Sequence, residues 1–259
     1  MVTWAEGLYD VDLAYDWVEF FAGRANCTSA ARVRGASGLK LDIEYGNRGK
    51  KKSNGKKCKS DYMDINSCSG FCLAIICLLN CRKNDFVAWF GLKCSSWCGM
   101  NRATSGRSPS SSTGYSHAPT VQAGNRMLER VYLLCLLVVA LGGCYILEQP
   151  AGSAVEYYPS WRRLCTSLIS IDGTAAVNRV GWYMGAFFAR TLKRQYAYSN
   201  SPKIRLINRS PLQVSAKMRT RPTKYYVDKN GKKRFLGLKQ LKDTENLEPH
   251  GWFCWCSTT

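Results

Sequence analysis

The sequence predicts an α/β fold built on a mainly parallel sheet, with helices on both faces. Apolar segments of strand length alternate with helical segments from about residue 16 onward, which is typical of such a sheet. Three strand ends carry residues with chemical functions: the Gly23 loop, Cys94 and Glu148. Because open α/β sheets bind ligands at the carboxyl ends of their strands, these three ends predict a functional crevice.

The first strand–helix–strand unit is predicted within residues 16–45, after a weakly patterned lead-in over residues 1–15. The apolar residues 17–21 predict a strand, residues 26–34 a helix, and residues 39–45 a second strand. Residues 46–60 differ, because they contain seven Lys and Arg residues without an acid. We expect them to form a basic surface loop inserted after the second strand.

Residues 71–148 predict two further helix–strand units. The apolar residues 71–81 indicate a helix, and residues 86–92 indicate the strand that precedes Cys94. Residues 99–120 are rich in Ser, Thr, Gly and Arg, so they predict a long polar loop of the kind that is functional or disordered. Residues 125–141 predict a helix that ends at Gly142-Gly143, and the following strand ends at Glu148.

The last part of the predicted domain is a pair of strands, residues 180–188 and 195–199. We place the domain at residues 16–210, followed by a basic extension over residues 211–259. Within this extension, residues 225–236 predict a β-hairpin, because Asn-Gly stands between two strand-forming segments.

The balance of charges favours a polyanionic partner. The 259 residues contain 37 Lys and Arg against 18 Asp and Glu, a net charge of +19. Nucleic acid and an anionic membrane surface both fit this charge, and a solvated basic surface is the alternative. The longest apolar run, residues 131–141, is shorter than the ~20 residues that a bilayer-spanning helix needs, so we expect a buried helix and no membrane association.

The cysteines indicate a reducing, intracellular compartment. There are 13 of them, an odd number, and residues 1–6 show no secretory leader pattern. Cys68 and Cys72, Cys77 and Cys81, and Cys94 and Cys98 are each four residues apart. A zinc site is conceivable from that spacing, but no close Cys-x-x-Cys pair is present, so we expect buried thiols and no metal.

The segment around Gly23 has features of a nucleotide-cofactor loop. Small residues between a strand and a helix let backbone N–H groups approach a ligand closely, although one glycine is a weak signal and a plain turn is the alternative. Asp42, about 20 residues farther on, stands where an acid accepts hydrogen bonds from ribose hydroxyls. Asp64 is expected at the end of a third strand, where it would lie near an adenine.

Four segments, in this order, resemble motifs of the cytosine-C5 DNA methyltransferases. Glu19-Phe20-Phe21-Ala22-Gly23 resembles the Asp-Leu-Phe-x-Gly cofactor motif of that family, and Lys93-Cys94-Ser95-Ser96-Trp97 is similar to its Pro-Cys nucleophile loop. Leu147-Glu148-Gln149-Pro150 resembles its Glu-Asn motif, and residues 185–200 resemble the Lys-Pro-Thr…Trp-Thr-Asn region of short members. The motifs Phe-Ala-Gly-x-Ala-Asn, Cys-Ser-Ser-Trp and Leu-Glu-Gln-Pro are similar to those of a group of proteins found mostly in unicellular algae.

The resemblance implies a Rossmann-like sheet that binds S-adenosylmethionine and an enzyme that methylates cytosine C5 in a nucleic acid. It favours DNA over RNA as the substrate. Cys94 would be the nucleophile and Glu148 its partner at the base. The residues implied around the cofactor are Phe21, Ala22, Gly23, Arg24, Ala25, Asn26, Asp42, Ile43, Asp64 and Ile65. This chain departs from the family pattern at Lys93, where the family has Pro, and at Gln149, where it has Asn.

Nucleic-acid contacts are expected from three basic regions. Arg102 and Arg107 follow Cys94 in the polar loop and would hold phosphates or close over the base. The other phosphate-binding candidates, in the basic loop and the extension, are Lys50, Lys51, Lys52, Arg221, Lys232, Lys233 and Arg234. Two alternatives to cytosine methylation stay open: an inactive methyltransferase fold that binds nucleic acid, and a methyltransferase for RNA or protein.

Overall fold

The architecture is an open, mixed six-stranded sheet with helices on both faces, seen in a computed structural model that describes residues 14–46, 61–187, 189, 191–209 and 223–237. The strands of this sheet are β1 (Trp17–Phe20), β2 (Gly38–Leu41), β3 (Val87–Phe90), β4 (Cys144–Pro150), β5 (Asn178–Tyr183) and β6 (Arg194–Ser199). The α-helices are α1 (Asn26–Val33), α2 (Ile43–Gly46), α3 (Cys68–Leu79), α4 (Arg102–Ser105), α5 (Pro119–Ala140) and α6 (Pro159–Asp172). Within the described residues, 3₁₀ turns span Gly99–Asn101, Ala154–Tyr157, Thr174–Ala176, Met184–Phe187 and Pro202–Ile207.

The strand order is β2-β1-β3-β4-β6-β5. Strands β1 to β4 are parallel to one another, whereas β6 runs antiparallel between β4 and β5. The chain moves from β1 to β2 on one side and then returns to β3 on the other side. The carboxyl ends of β1 and β3 therefore flank a reversal of strand order, the position at which open α/β sheets leave a ligand crevice.

Alternation along each strand divides the core into two layers. Val18, Phe20 and Phe90 face one layer, which also contains the buried sides of α3, α5 and α6. Trp17 and Trp89 face the other layer, together with α1 and the 3₁₀ turns at Met184–Phe187 and Pro202–Ile207. Because successive strand side chains point to opposite faces, these short apolar strands are buried on both sides.

A second, two-stranded antiparallel sheet consists of β7 (Thr223–Val227) and β8 (Lys233–Gly237). It confirms the predicted hairpin, with Asn230-Gly231 in the turn and Gly231 at a φ of +72°. The predicted pair of strands near residues 180 and 195 is also confirmed as the antiparallel pair β5 and β6.

The predicted third strand at Asp64 is wrong. Residues 61–67 form turns that lead into α3, and the Ser67 hydroxyl caps this helix by accepting the Gly70 N–H. The predicted second strand is shorter than expected, since β2 ends at Leu41 and α2 begins two residues later. A hydrophilic segment after an apolar strand does not by itself indicate whether a further strand or a helix cap follows.

The structure also differs from the sequence prediction in the polar segment 99–120 and in helix α6. The segment contains a 3₁₀ turn, the short α4 and the first two residues of α5, which begins at Pro119 and not at residue 125. Helix α6 had no counterpart in the sequence prediction, although Pro159 at its first turn and the buried Trp161, Leu164 and Leu168 are helical signals. Among the residues described, none of the helices has the length and apolar character that crossing a membrane requires.

Candidate active site at the carboxyl ends of the parallel strands

A cavity of about 520 Å³ opens at the carboxyl ends of β1, β3 and β4. It is of the size that small-molecule sites have, roughly 300 to 1,000 Å³. Cys94, Glu148 and Gly23 all line it, although more than 120 residues separate the first of them from the last along the chain. The other lining residues are Glu19, Phe21, Ala22, Arg24, Asn26, Cys27, Trp89, Gly91, Leu92, Lys93, Ser95, Gln149, Pro150, Met184, Lys193 and Gln195.

The loop between β1 and α1 has an unusual backbone. Phe21, Gly23 and Ala25 have φ values of +59°, +51° and +57°, and two of them are not glycine. A left-handed conformation costs a non-glycine residue about 1 kcal/mol or more and is found preferentially at functional sites. Nothing lies within 4 Å of the position that a Gly23 Cβ would occupy. The backbone at Gly23 therefore faces open space, which a ligand can approach closely.

Glu19, at the base of this loop, is a buried carboxylate that holds the start of α1. Its Oε2 accepts hydrogen bonds from the Thr28 backbone N–H (2.6 Å) and the Thr28 hydroxyl (2.5 Å). Burial raises the pKa of Glu19, and the two hydrogen bonds from Thr28 oppose that rise. The carboxylate thus connects strand β1 to the first turn of α1 beside the cavity.

Asp42 supports the loop between β1 and α1 from the end of β2. Its Oδ2 accepts the Gly23 N–H at 2.8 Å, and its Oδ1 accepts the Glu44 N–H at 2.8 Å. The Tyr45 hydroxyl adds a bond of 2.6 Å to the Gly23 carbonyl. Asp42 and the exposed Ile43 do not line the cavity of 520 Å³, so the predicted contact between Asp42 and a ribose stays a prediction.

Asp64 and Ile65 do not occupy the place predicted for them. The Asp64 Oδ1 accepts the Asn66 N–H at 2.9 Å within the turn before α3, and neither residue lines the cavity. Ile65 is 4% exposed and packs into the core layer of α3 and α5. The expected adenine contact depended on a strand end at Asp64, and a turn is found there instead.

Cys94 lies in a turn directly after β3. Its carbonyl accepts the N–H groups of Trp97 (2.9 Å) and Cys98 (3.0 Å), so the backbone reverses immediately after the thiol. The side chain of Cys94 is half-buried and faces the cavity. This position combines access to a ligand with partial exclusion of water.

Gln149 joins the ends of β3 and β4. Its Nε2 donates to the Leu92 carbonyl at 2.7 Å, and its Oε1 accepts the Ser153 hydroxyl at 2.9 Å. Leu92 is two residues before Cys94, and Gln149 directly follows Glu148. The buried amide therefore fixes the turn that contains Cys94 relative to the half-buried Glu148. Sequence reasoning treated Gln149 only as a departure from the family motif and missed this bridging role.

The cavity carries more cations than anions among its lining residues. Arg24, Lys93 and Lys193 line it, together with the acids Glu19 and Glu148. Burial raises the pKa of Glu19, so this acid is harder to ionise than an ordinary carboxyl group. A positive environment favours the thiolate form of a cysteine.

Arg107 corrects a prediction, because it lies in the interior and not on a nucleic-acid-binding surface. It is 2% exposed, and its guanidinium lies over the Trp97 ring at 3.4 Å from the centroid. It donates to the Ser112 carbonyl (2.5 Å), and its other hydrogen-bond acceptors are the Ser96 hydroxyl, the Val121 carbonyl and the Asn125 side chain. Burial lowers the pKa of Arg107 to about 10. The two terminal nitrogens of its guanidinium thus hold the polar segment against α5.

The other predicted nucleic-acid-binding residues divide into three groups. Arg102, Lys232 and Lys233 are exposed, as phosphate binding requires. Arg234 belongs to β8, where it is the register partner of Tyr226. Lys50, Lys51, Lys52 and Arg221 lie outside the described residues.

None of the cysteines that the structure describes forms a disulfide bond. Cys27, Cys77, Cys81 and Cys135 are buried, whereas Cys68 and Cys72 are exposed. In the parts of the chain that the structure describes, no three His, Cys, Asp or Glu side chains are grouped as a metal site would need.

Comparison with known proteins identifies no relative of this chain. No protein-family model matches it, and no curated protein matches it significantly.

Proposed function

We propose that this chain is an S-adenosylmethionine-dependent methyltransferase that acts on cytosine C5 in a nucleic acid. The observation that carries the proposal is the convergence of Gly23, Cys94 and Glu148 on one cavity. Each belongs to a different motif, and each lies at the carboxyl end of a different parallel strand. A chance resemblance of three short motifs would have no reason to place them together at the ligand-binding edge of a sheet.

The residues around the β1–α1 loop fit the cofactor that the proposal requires. The open space at Gly23, the half-buried Phe21 and the cavity volume provide room for a nucleoside-sized group. Phe21, Gly23 and Arg24 would hold S-adenosylmethionine, with Asp42 supporting the loop from behind. When bound, S-adenosylmethionine supplies an electrophilic methyl group.

Cys94 and Glu148 would activate the base. The Cys94 thiolate adds to C6 of cytosine, which forms an S–C6 bond and makes C5 nucleophilic. Glu148 donates a hydrogen bond or a proton to N3, which stabilises the charge that develops on the ring. Once C5 carries the methyl group, a general base would remove the C5 proton. The S–C6 bond then breaks, Cys94 leaves as the thiolate, and the N3 proton returns to Glu148. The base has to be unpaired or flipped out of a duplex to reach the cavity.

An oligonucleotide that contains 5-fluorocytosine tests this mechanism, because fluorine at C5 cannot leave as a proton and the S–C6 bond persists. We expect a covalent adduct, visible on a denaturing gel and by mass spectrometry, only when S-adenosylmethionine is present. Cys94→Ser should abolish the adduct, and Glu148→Gln should slow its formation by at least ~100-fold. The matched control is Cys98→Ser, since Cys98 is also half-buried but does not line the cavity.

Two experimental results would contradict the proposed cytosine methyltransferase activity. Cofactor-independent, non-covalent binding of the oligonucleotide without an adduct would support the alternative of an inactive fold that binds nucleic acid. Failure of the chain to bind S-adenosylmethionine in isothermal titration calorimetry would exclude every methyltransferase function, including one directed at RNA or protein.

A further inference from the structure

The β7–β8 hairpin is an exposed basic ribbon with aromatic side chains. Residues 223–237 contain five Lys and Arg residues and one acid. Tyr225, Tyr226 and Val227 are 64%, 52% and 60% exposed. An antiparallel hairpin of two strands is only marginally stable in water, and exposed aromatic side chains on it are available to a partner.

The one acid of this ribbon, Asp228, builds the turn. Its carboxylate accepts the N–H groups of Asn230 (3.0 Å) and Lys232 (2.9 Å), while its own N–H donates to the Lys232 carbonyl at 2.9 Å. The negative charge is therefore directed into the backbone of the turn. The side chains of Lys229 and Lys232 are exposed on the same turn, so the tip of the hairpin presents positive charge.

Tyr225 and Lys233 form a cation–aromatic pair across the two strands. Val227 is the register partner of Lys233, and Tyr225 is its diagonal neighbour on the same face. The Lys233 Nζ lies 4.1 Å from the centroid of the Tyr225 ring. A ring on which a base can stack and an ammonium that can bind a phosphate are thus adjacent.

We propose that the hairpin binds single-stranded nucleic acid, with an unpaired base stacked on Tyr225 and the flanking phosphates bound by Lys229, Lys232 and Lys233. The charge selects a polyanion, and the exposed ring selects unpaired bases, because the bases of a duplex are already stacked on each other. The choice of nucleic acid among polyanions rests on the proposed function. The surface itself is distinct from the cavity that contains Cys94.

Fluorescence anisotropy with the full chain and no cofactor tests the proposal. The probes are labelled single strands of DNA and of RNA, each about 16 nucleotides long, and the corresponding DNA duplex. We expect the single strands to bind more tightly than the duplex, with Tyr225→Ala weakening their binding about 5-fold or more. Tyr225→Phe keeps the ring and should bind as the wild type does. Plots of log K against log salt concentration have a negative slope, and Lys233→Gln should make that slope shallower by about 0.7.

The matched control is Tyr157→Ala, because Tyr157 is also exposed (41%) but lies in a 3₁₀ turn of the main domain. It should leave binding unchanged. Since Tyr225→Ala also weakens the hairpin, the wild-type chain is photo-crosslinked to a strand that carries 5-iodouracil. A crosslink at Tyr225 supports the proposal.

Wild-type affinity in Tyr225→Ala, equal affinity for duplex and single strand, or crosslinks confined to other residues would each overturn the proposal. None of these results affects the Cys94 adduct with 5-fluorocytosine, which tests the methyltransferase function separately. If no adduct forms but the crosslink at Tyr225 is observed, the hairpin is still a nucleic-acid-binding surface, and only the proposed methyltransferase activity is contradicted.

Discussion

At the scale of single residues, two buried side chains, Glu19 and Gln149, and the half-buried Asp42 act on the backbone of the candidate site. Glu19 holds the first turn of α1 through Thr28, Asp42 holds Gly23, and Gln149 holds Leu92. Each of them uses a side-chain oxygen or nitrogen to fix a segment that connects to the cavity. Because buried polar groups are costly when unpaired, these contacts restrict the segments to one arrangement.

Glu19→Gln should raise the free energy of unfolding at pH 7 by about 1 kcal/mol, because a neutral amide costs less to bury than a carboxylate. The raised pKa of Glu19 means that its contribution to stability is fully present below the ordinary value of 4.5 and is lost as the pH rises. The increase in the free energy of unfolding that the substitution produces should therefore shrink as the pH falls from 7 toward 4. Urea denaturation of both proteins at several pH values measures this difference.

A double-mutant cycle provides the control for this substitution. Thr28→Val removes the hydroxyl donor and should cost about 1–3 kcal/mol in the wild type, but less in the Glu19→Gln background, since hydrogen bonds to charged acceptors are the stronger ones. Equal costs in both backgrounds would show that the hydrogen bond from the Thr28 hydroxyl is not strengthened by the charge of Glu19.

At the scale of elements, the segment between Cys94 and α5 is organised around Arg107. This guanidinium bonds to residues from three parts of the chain, namely Ser96, Ser112 and Asn125. The Asn125 side chain in turn donates to the Thr113 carbonyl at 3.0 Å. Gly124 allows this close packing, because a Cβ there would lie 2.6 Å from the Ser96 hydroxyl oxygen.

Arg107→Met should destabilise the protein by roughly 3 kcal/mol, because it leaves several buried acceptors without a donor. Arg107→Lys keeps the charge but loses the planar stack on Trp97, so we expect an intermediate cost. Urea denaturation measures the stability, and hydrogen exchange over residues 96–125 should show faster exchange in both variants. Arg102→Met is the control, since Arg102 is exposed, and should change stability by no more than about 0.5 kcal/mol.

At the scale of the whole molecule, the interior contains thiols that are stable only as neutral groups. Burial raises the pKa of Cys77 to about 11 and that of Cys81 to about 12, and it raises the pKa of Cys135 well above its ordinary value of 9.0. These side chains lie in the core layer of α3, α5 and α6. Packing of this layer therefore depends on keeping the thiols protonated and reduced.

Stability should fall as the pH rises from 9 to 11. Since the folded-state pKa values of Cys77 and Cys81 lie above the ordinary 9.0, their contribution is complete below pH 9 and is lost as the pH rises through the folded values. The loss from Cys77 should reach roughly 2 kcal/mol at pH 11. Thermal unfolding at pH 8–11 measures it. Cys77→Ala should flatten the profile, whereas Cys68→Ala, at an exposed thiol, should leave it unchanged.

The sequence by itself determined the alternation of strands and helices, the hairpin at Asn230-Gly231, and the position of Gly23, Cys94 and Glu148 at strand ends. These features depend on local periodicity and turn chemistry, which neighbouring residues encode. Only the tertiary structure decided that β6 lies between β4 and β5, that Arg107 is buried, and that Gln149 joins two strand ends. Those outcomes depend on contacts between residues far apart in the chain, whose partners no local pattern specifies.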